Sequence, residues 1–446
     1  MDSSGIFSKR DLRYLIIPLI IEQTLALTVG MFDTVMVASV GEHAVSGVSL
    51  VESINILLIN LFSALAAGGA IVAGQYLGRQ DRENSQRAAK QLVFVTLALS
   101  VVIGSICLLL NRQILSLIFG NVESGVMGHA RTYFYITTLS YPFIGIFNTA
   151  AALFRIMGNA KAAMINALIM NVVNIAGNAL FIYGMNWGVA GAALSTLISR
   201  VIAAVTMMIM LRNPKLEISL RSYGIKGMDP QMFKRILRIG IPNGLENSIF
   251  QMGKIVVTSL VASLGTISIA ANAVANSLSG VGAIPGAAMG LALTTVVARC
   301  VGAREYDQAD YYAKTLMKRV YLYMIIVNAG VLLALKPVLG LYNLSAETFN
   351  LAFQLMLIHA SSSMVIWPAS FTLPNALRAA GDVRYTMVIS IFSMGMFRIG
   401  FSYLFVHFTS LGVRGIWIAM IIDWIFRSIC FIRRWRCGKW KNITVV

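Results

Sequence analysis

Residues 14–40 read YLIIPLIIEQTLALTVGMFDTVMVASV. As a helix rising 1.5 Å per residue, this run crosses the ~30 Å of hydrocarbon in a bilayer with length to spare. Comparable runs recur along the chain and predict twelve spanning helices. They lie at about 14–40, 46–76, 91–110, 132–154, 164–183, 189–211, 236–262, 268–298, 319–338, 350–376, 385–406 and 413–432. Composition agrees: 57% of residues are hydrophobic, 12% are charged, and mean hydropathy is +0.75. A soluble domain carries about 25% charged residues. The fold class is therefore all-α and integral to a membrane. A β-barrel is excluded, because its strands are ~10-residue alternating segments rather than continuous apolar runs.

Lys9, Arg10 and Arg13 precede the first run, as they would in a secretory signal. The run exceeds the ~7–15 residues of a signal's apolar core, so it reads as a retained span. Cys107, Cys300, Cys430 and Cys437 form no CxxC pair, and neither a zinc site nor a disulfide framework is indicated. HExxH, GxSxG and Walker A sequences are absent, and the four histidines are scattered. No enzyme is indicated and no cofactor is expected. Without a nucleotide site, any pumping must draw on an ion gradient.

The formal net charge is +18. Its placement marks topology rather than nucleic acid. With the first residues inside, the inner segments hold Arg79, Arg82, Arg87, Lys90, Arg155, Lys161, the basic stretch from Arg212 to Arg235, Arg299, Arg304, Lys314, Lys318, Arg378 and Arg384. The outer loops hold only Arg112, Arg131, Lys336 and Arg414. That asymmetry predicts both termini in the cytoplasm.

The chain is also written twice. At an offset of 224, Pro18 and Glu22 fall on Pro242 and Glu246, Gly41 on Gly265, and Gly78 on Gly302. LFRIMGNAKAAM (153–164) meets ALRAAGDVRYTM (376–387) at an offset of 223. Two six-helix lobes follow, at 1–211 and 236–432. A cytoplasmic linker at 212–235 joins them, and a basic tail at 433–446 ends the chain. Six helices per half make the repeats parallel, related by an axis along the membrane normal, as in transporters that rock two lobes about a central cavity. Two covalently joined lobes make a monomer sufficient.

Asp33 interrupts the first apolar run. A carboxylate at mid-membrane costs roughly 2.5–3.5 kcal/mol on insertion scales, so it persists only when paired, hydrated or used. Asn174 and Asn178, four residues apart, share one helix face. Glu246 and Lys254 lie two turns apart in the seventh span, and Glu22 is the repeat partner of Glu246. Arg398 and Asp423, in the last two spans, are expected to form a structural ion pair. The 23 methionines and the 10% aromatic residues suit a promiscuous cavity, although any one Met serves ordinary packing first.

The chain resembles the multidrug and toxic compound extrusion (MATE) family of secondary transporters over nearly its full length. The resemblance rests on FDTVMVASVG, GQYLGR (74–79), LFRIMGNAK (153–161), NVVNIAGNALFIYG (171–184), WGVAGAALST (187–196) and ALRAAGD (376–382). It implies export of amphipathic organic cations in exchange for protons or Na⁺ across the plasma (inner) membrane. It implies a proton or cation site at Asp33 with Asn174, Asn178 and Thr196, and a helix-1 bend at Pro18. The chain departs from the family at Asn178, where several members carry a second Asp. It departs again at Phe250, near where many carry a helix-7 Glu, and at Trp367, where some sodium-coupled members have an Asp. Glu246, Glu22 and Lys254 remain candidates for substrate or proton work. A lipid-linked sugar flippase of the same superfamily is one alternative, kept open by Lys254, Arg398 and Arg200. A non-transporting scaffold is another.

Overall fold

The computed structural model describes residues 5–120, 123–220, 229–342 and 344–446. Arg221 and Lys226 of the expected linker lie outside them. The described chain is helical throughout: α1 (Lys9–Ala38), α2 (Glu42–Gly78), α3 (Arg82–Leu109), α4 (Asn111–Phe119), α5 (Ser124–Thr138), α6 (Tyr141–Ile156), α7 (Ala160–Asn178) and α8 (Gly188–Met210). The second half holds α9 (Pro230–Ala262), α10 (Thr266–Gly302), α11 (Tyr306–Gly340), α12 (Ala346–Val365), α13 (Leu373–Ala379), α14 (Val383–Ser393), α15 (Phe401–Phe408) and α16 (Val413–Arg436). Two compact units result. One is Arg13–Gly244; the other joins Met1–Leu12 to Leu245–Val446.

Nine of these helical spans are long and apolar enough to cross a membrane, and eleven are when two bent pairs each count as one. The twelfth expected span is α9, whose apolar stretch is interrupted by Arg238, Glu246 and Lys254. Two of the expected single spans, 132–154 and 350–376, are bent pairs. Between α5 and α6 the axis turns by 50°, and between α12 and the segment ending α13 by 64°. Pro142 and Pro368 sit at the breaks, and each removes the N–H that would bond four residues back. α3 and α11 begin at Arg82 and Tyr306, about two and a half and three and a half turns before the expected spans at 91 and 319. Their first turns are charged, so hydropathy stops there while the helix continues. The Asp81 side chain caps α3 by accepting from the Asn84 N–H.

The duplication is visible in the backbone. Gly41 and Gly265 precede α2 and α10 with φ of 130° and 93°. Gln80 and Arg304, non-glycine residues with left-handed φ of 62° each, end the corresponding turns. Gly158 and Gly381, with φ of 81° and 97°, precede α7 and α14.

The chain ends fold onto the Leu245–Val446 unit. Tyr312 Oη donates to the Phe7 carbonyl at 2.7 Å. Trp440 is buried and stacks on Trp435 with ring centroids 4.3 Å apart.

Candidate functional site

Within the Arg13–Gly244 unit, α1, α2, α5, α7 and α8 enclose a cavity of about 300 Å³. Asp33 lines it from α1, Asn178 from α7 and Thr196 from α8. Asn178 Nδ2 donates to Asp33 Oδ1 at 2.6 Å and lies 3.4 Å from Asn174 Oδ1. Asn174 Nδ2 donates to Thr196 Oγ1 at 3.3 Å, and Thr196 Oγ1 donates to the Ala192 carbonyl at 3.1 Å. The four residues singled out from sequence thus form one hydrogen-bonded row. α7 and α8 come this close because a side chain at Gly177 would meet Ser195 Oγ at 2.5 Å. Ser195 in turn donates to the Asn174 carbonyl at 2.6 Å.

Two features of this cavity were not read from sequence. Glu52, on α2, lines it as a second carboxylate. Tyr133 Oη and Asn55 Nδ2 both donate to Glu52 Oε1, at 2.8 and 2.9 Å. The charge missing at Asn178 is therefore present in the same cavity on another helix. The second feature is Asn178 Oδ1, which is buried and has no hydrogen-bond partner among the described residues. An amide can be turned over to exchange its oxygen and nitrogen, so this oxygen is available to a cation beside Asp33. Carboxylate, amide and hydroxyl oxygens are the ligands of hard cations, and these residues fit a proton or a small monovalent cation.

Glu22 and Glu246 are not open acids. Arg155 Nη2 donates to Glu22 Oε1, forming an ion pair whose two side chains are largely buried. Arg378 Nη2 and Nε donate to Glu246 at 2.6 and 3.3 Å, Ser390 Oγ donates at 2.7 Å, and Arg427 Nη2 lies 4.0 Å away. The two pairs sit at repeat-related positions, one in each unit. Lys254 makes no ion pair with Glu246 or with any described carboxylate. Arg398 and Asp423 do meet, with Nη1 and Oδ2 3.8 Å apart, and Ser393 Oγ donates to Asp423 Oδ1. Pro18 lies inside an unbroken α1. Arg200 Nη1 donates to Ser140 Oγ at 2.7 Å.

The Leu245–Val446 unit has its own cavity, of about 460 Å³. Its charged lining is Lys254 and Arg398, and its walls include Trp367, Phe371, Trp417 and Trp424. Trp367 stacks on Phe371 with centroids 4.9 Å apart and lies so close to Gly286 that any Cβ there would overlap its ring. Short π-helical turns occur at Ala179–Gly184, Pro368–Thr372 and Met394–Gly400. They follow Asn178, hold Phe371 and hold Arg398, in keeping with the frequent use of such turns at functional sites.

A family model described as MatE matches residues 18–180 and again 242–404, repeating the offset of 224. The chain is 25% identical over 432 residues to the uncharacterized transporter YisQ of Bacillus subtilis, covering 95% of this chain and 93% of that one. It is 24% identical over 447 residues to the probable multidrug resistance protein NorM of Thermotoga maritima, covering 98% and 94%. Its fold matches a structure described as the outward-facing conformation of a multidrug resistance MATE family transporter. The TM-score is 0.88 at 23% identity, with 98% of this chain and 97% of that one covered.

Proposed function

Because this chain belongs to the MatE, or multidrug and toxic compound extrusion, family of membrane transporters, we propose that it is a secondary exporter of amphipathic organic molecules coupled to inward movement of H⁺ or Na⁺. The observation that carries this is the cavity lined by Asp33, Glu52 and Asn178, whose buried side-chain oxygen has no partner among the described residues. A carboxylate kept in an apolar span is stabilised by a proton or cation and destabilised by its loss. Occupancy of the site therefore biases α1, α2 and α7 between arrangements. Coupling follows when the ion and the cargo bind the two arrangements unequally. The names of the relatives, probable multidrug resistance proteins, support a broad cargo range. The plasma membrane, cytoplasmic termini and a monomeric unit belong to the same reading.

The organic-cation expectation came from the family resemblance and from the intramembrane acids Asp33, Glu22 and Glu246. Arg155 and Arg378 hold Glu22 and Glu246, so the attraction for cations is assigned to Asp33 and Glu52. A second reading, in which an organic cation competes with that ion at Asp33, is favoured by the cavity's volume and its two carboxylates.

The test is efflux from proteoliposomes of one cationic and one anionic fluorescent dye, under a pH gradient and separately under a Na⁺ gradient. Wild type is run beside Asp33→Asn. Gradient-driven flux that the variant loses is the expected result and names the ion. Equal leak in both proteins under every gradient would sink the exporter reading and leave the non-transporting scaffold.

A further inference from the structure

The cavities of the two units occupy repeat-related positions and differ in charge. At an offset of 224, Gly30, Asp33 and Glu52 of the first fall on Lys254, Val257 and Asn276 of the second, and all six line their cavities. Both acids are replaced by uncharged residues, and a glycine is replaced by a lysine. Lys254 is exposed in its cavity, and no described carboxylate lies within ion-pair distance of it. Arg398 shares the lining, and its Nε has no hydrogen-bond partner among the described residues.

The positive charge is concentrated around one ring. Lys254 Nζ, Arg398 Cζ and Arg427 Cζ lie 5.2, 5.6 and 5.7 Å from the centroid of Phe250. Against these stand Asp423, beside Arg398, and Glu246, which Arg427 shares with Arg378. Four cations thus face two carboxylates. Cation–π contact recovers only part of what desolvating a cation costs. An anion entering the cavity would supply the missing charge.

We propose that this cavity binds the exported cargo and that the cargo is an aromatic organic anion: a flat ring system bearing a carboxylate, sulfonate or phosphate. The head group is held by Lys254 and Arg398, with the Asn272 and Asn276 amides beside them. The ring system packs against Trp367, Phe371 and Trp424, an edge-and-face cluster with Phe371 and Trp424 centroids 5.9 Å apart. The assignment rests on the exporter reading for its role but not for its chemistry, which can be measured without a gradient.

The experiment is calorimetric titration of the purified full-length protein with 2-naphthalenesulfonate and, separately, with the similarly shaped 2-naphthylmethylammonium. The sulfonate is expected to bind at least about tenfold more tightly, as one charge-assisted contact provides. Lys254→Gln should weaken it by about tenfold. Lys254→Arg should retain it. Ammonium that binds as tightly or more tightly and displaces the sulfonate overturns the proposal. So does an unaltered sulfonate affinity in a Lys254→Gln protein that melts like wild type. Dihexanoyl phosphatidate separates the sources of such an anion: weaker binding than the sulfonate supports an aromatic cargo, and tighter binding overturns it in favour of a lipid head group. Loss of gradient-driven flux with the sulfonate preference intact would refute the exporter reading alone.

Discussion

Glu246→Gln separates a structural acid from a transporting one. Glu246 is 4% exposed and accepts from Arg378 and Ser390, with Arg427 4.0 Å away. The amide keeps the shape of the carboxylate but leaves two arginines, one of them only 2% exposed, facing each other without their shared counter-charge. Breaking a buried pair on one side costs about 3–5 kcal/mol, because the remaining charge stays buried. By soluble-domain scaling of ~2–4 °C per kcal/mol, the melting temperature in detergent should fall by roughly 6–20 °C. Replacing Arg378 as well, in Glu246→Gln/Arg378→Gln, removes one stranded cation and should recover part of the loss. The assay is the temperature at which half the monodisperse peak disappears on size-exclusion chromatography, measured beside proteoliposome flux. A Glu246→Gln protein that melts within 1–2 °C of wild type (about the effect of 0.5 kcal/mol) yet transports nothing would refute the structural reading and return Glu246 to the transport path.

Glu52→Gln preserves the acceptor used by Tyr133 and Asn55 while removing one of two charges from the Asp33 cavity. The coupling-cation concentration for half-maximal flux should rise by about tenfold or more, the effect of removing one nearby charge; an unchanged value would exclude Glu52 from the site. Trp440→Ala empties a site where the indole is 1% exposed and stacked on Trp435. It should destabilise the protein by about 3–5 kcal/mol, and unaltered melting would show that residues 439–442 do not contribute to the folded unit.

The helices were legible because apolar runs report spans directly, and the duplication because glycines and prolines recur at a fixed offset. The Asp33–Asn178–Asn174–Thr196 row was legible through the family resemblance. Glu52 was not: a single acid within the apolar part of α2 creates no pattern, and its partners Tyr133 and Asn55 come from another helix and from its own next turn. Arg155 and Arg378 were counted as loop charges because they sit at helix ends. Only the fold shows that they reach Glu22 and Glu246. The bends before Pro142 and Pro368 escaped a reading in which hydropathy runs smoothly through them.

The opposite polarity of the two cavities has an electrical consequence. An exporter that trades an organic cation for a proton or Na⁺ moves no net charge. One that takes a cation inward and sends a singly charged anion outward carries two elementary charges inward per cycle. At a potential of 100 mV, negative inside, those two charges are worth about 4.6 kcal/mol, enough to sustain an outward concentration ratio of roughly 2,000-fold with no ion gradient at all. Such a transporter is a current source, and collapsing the membrane voltage would slow it even with the ion gradient intact.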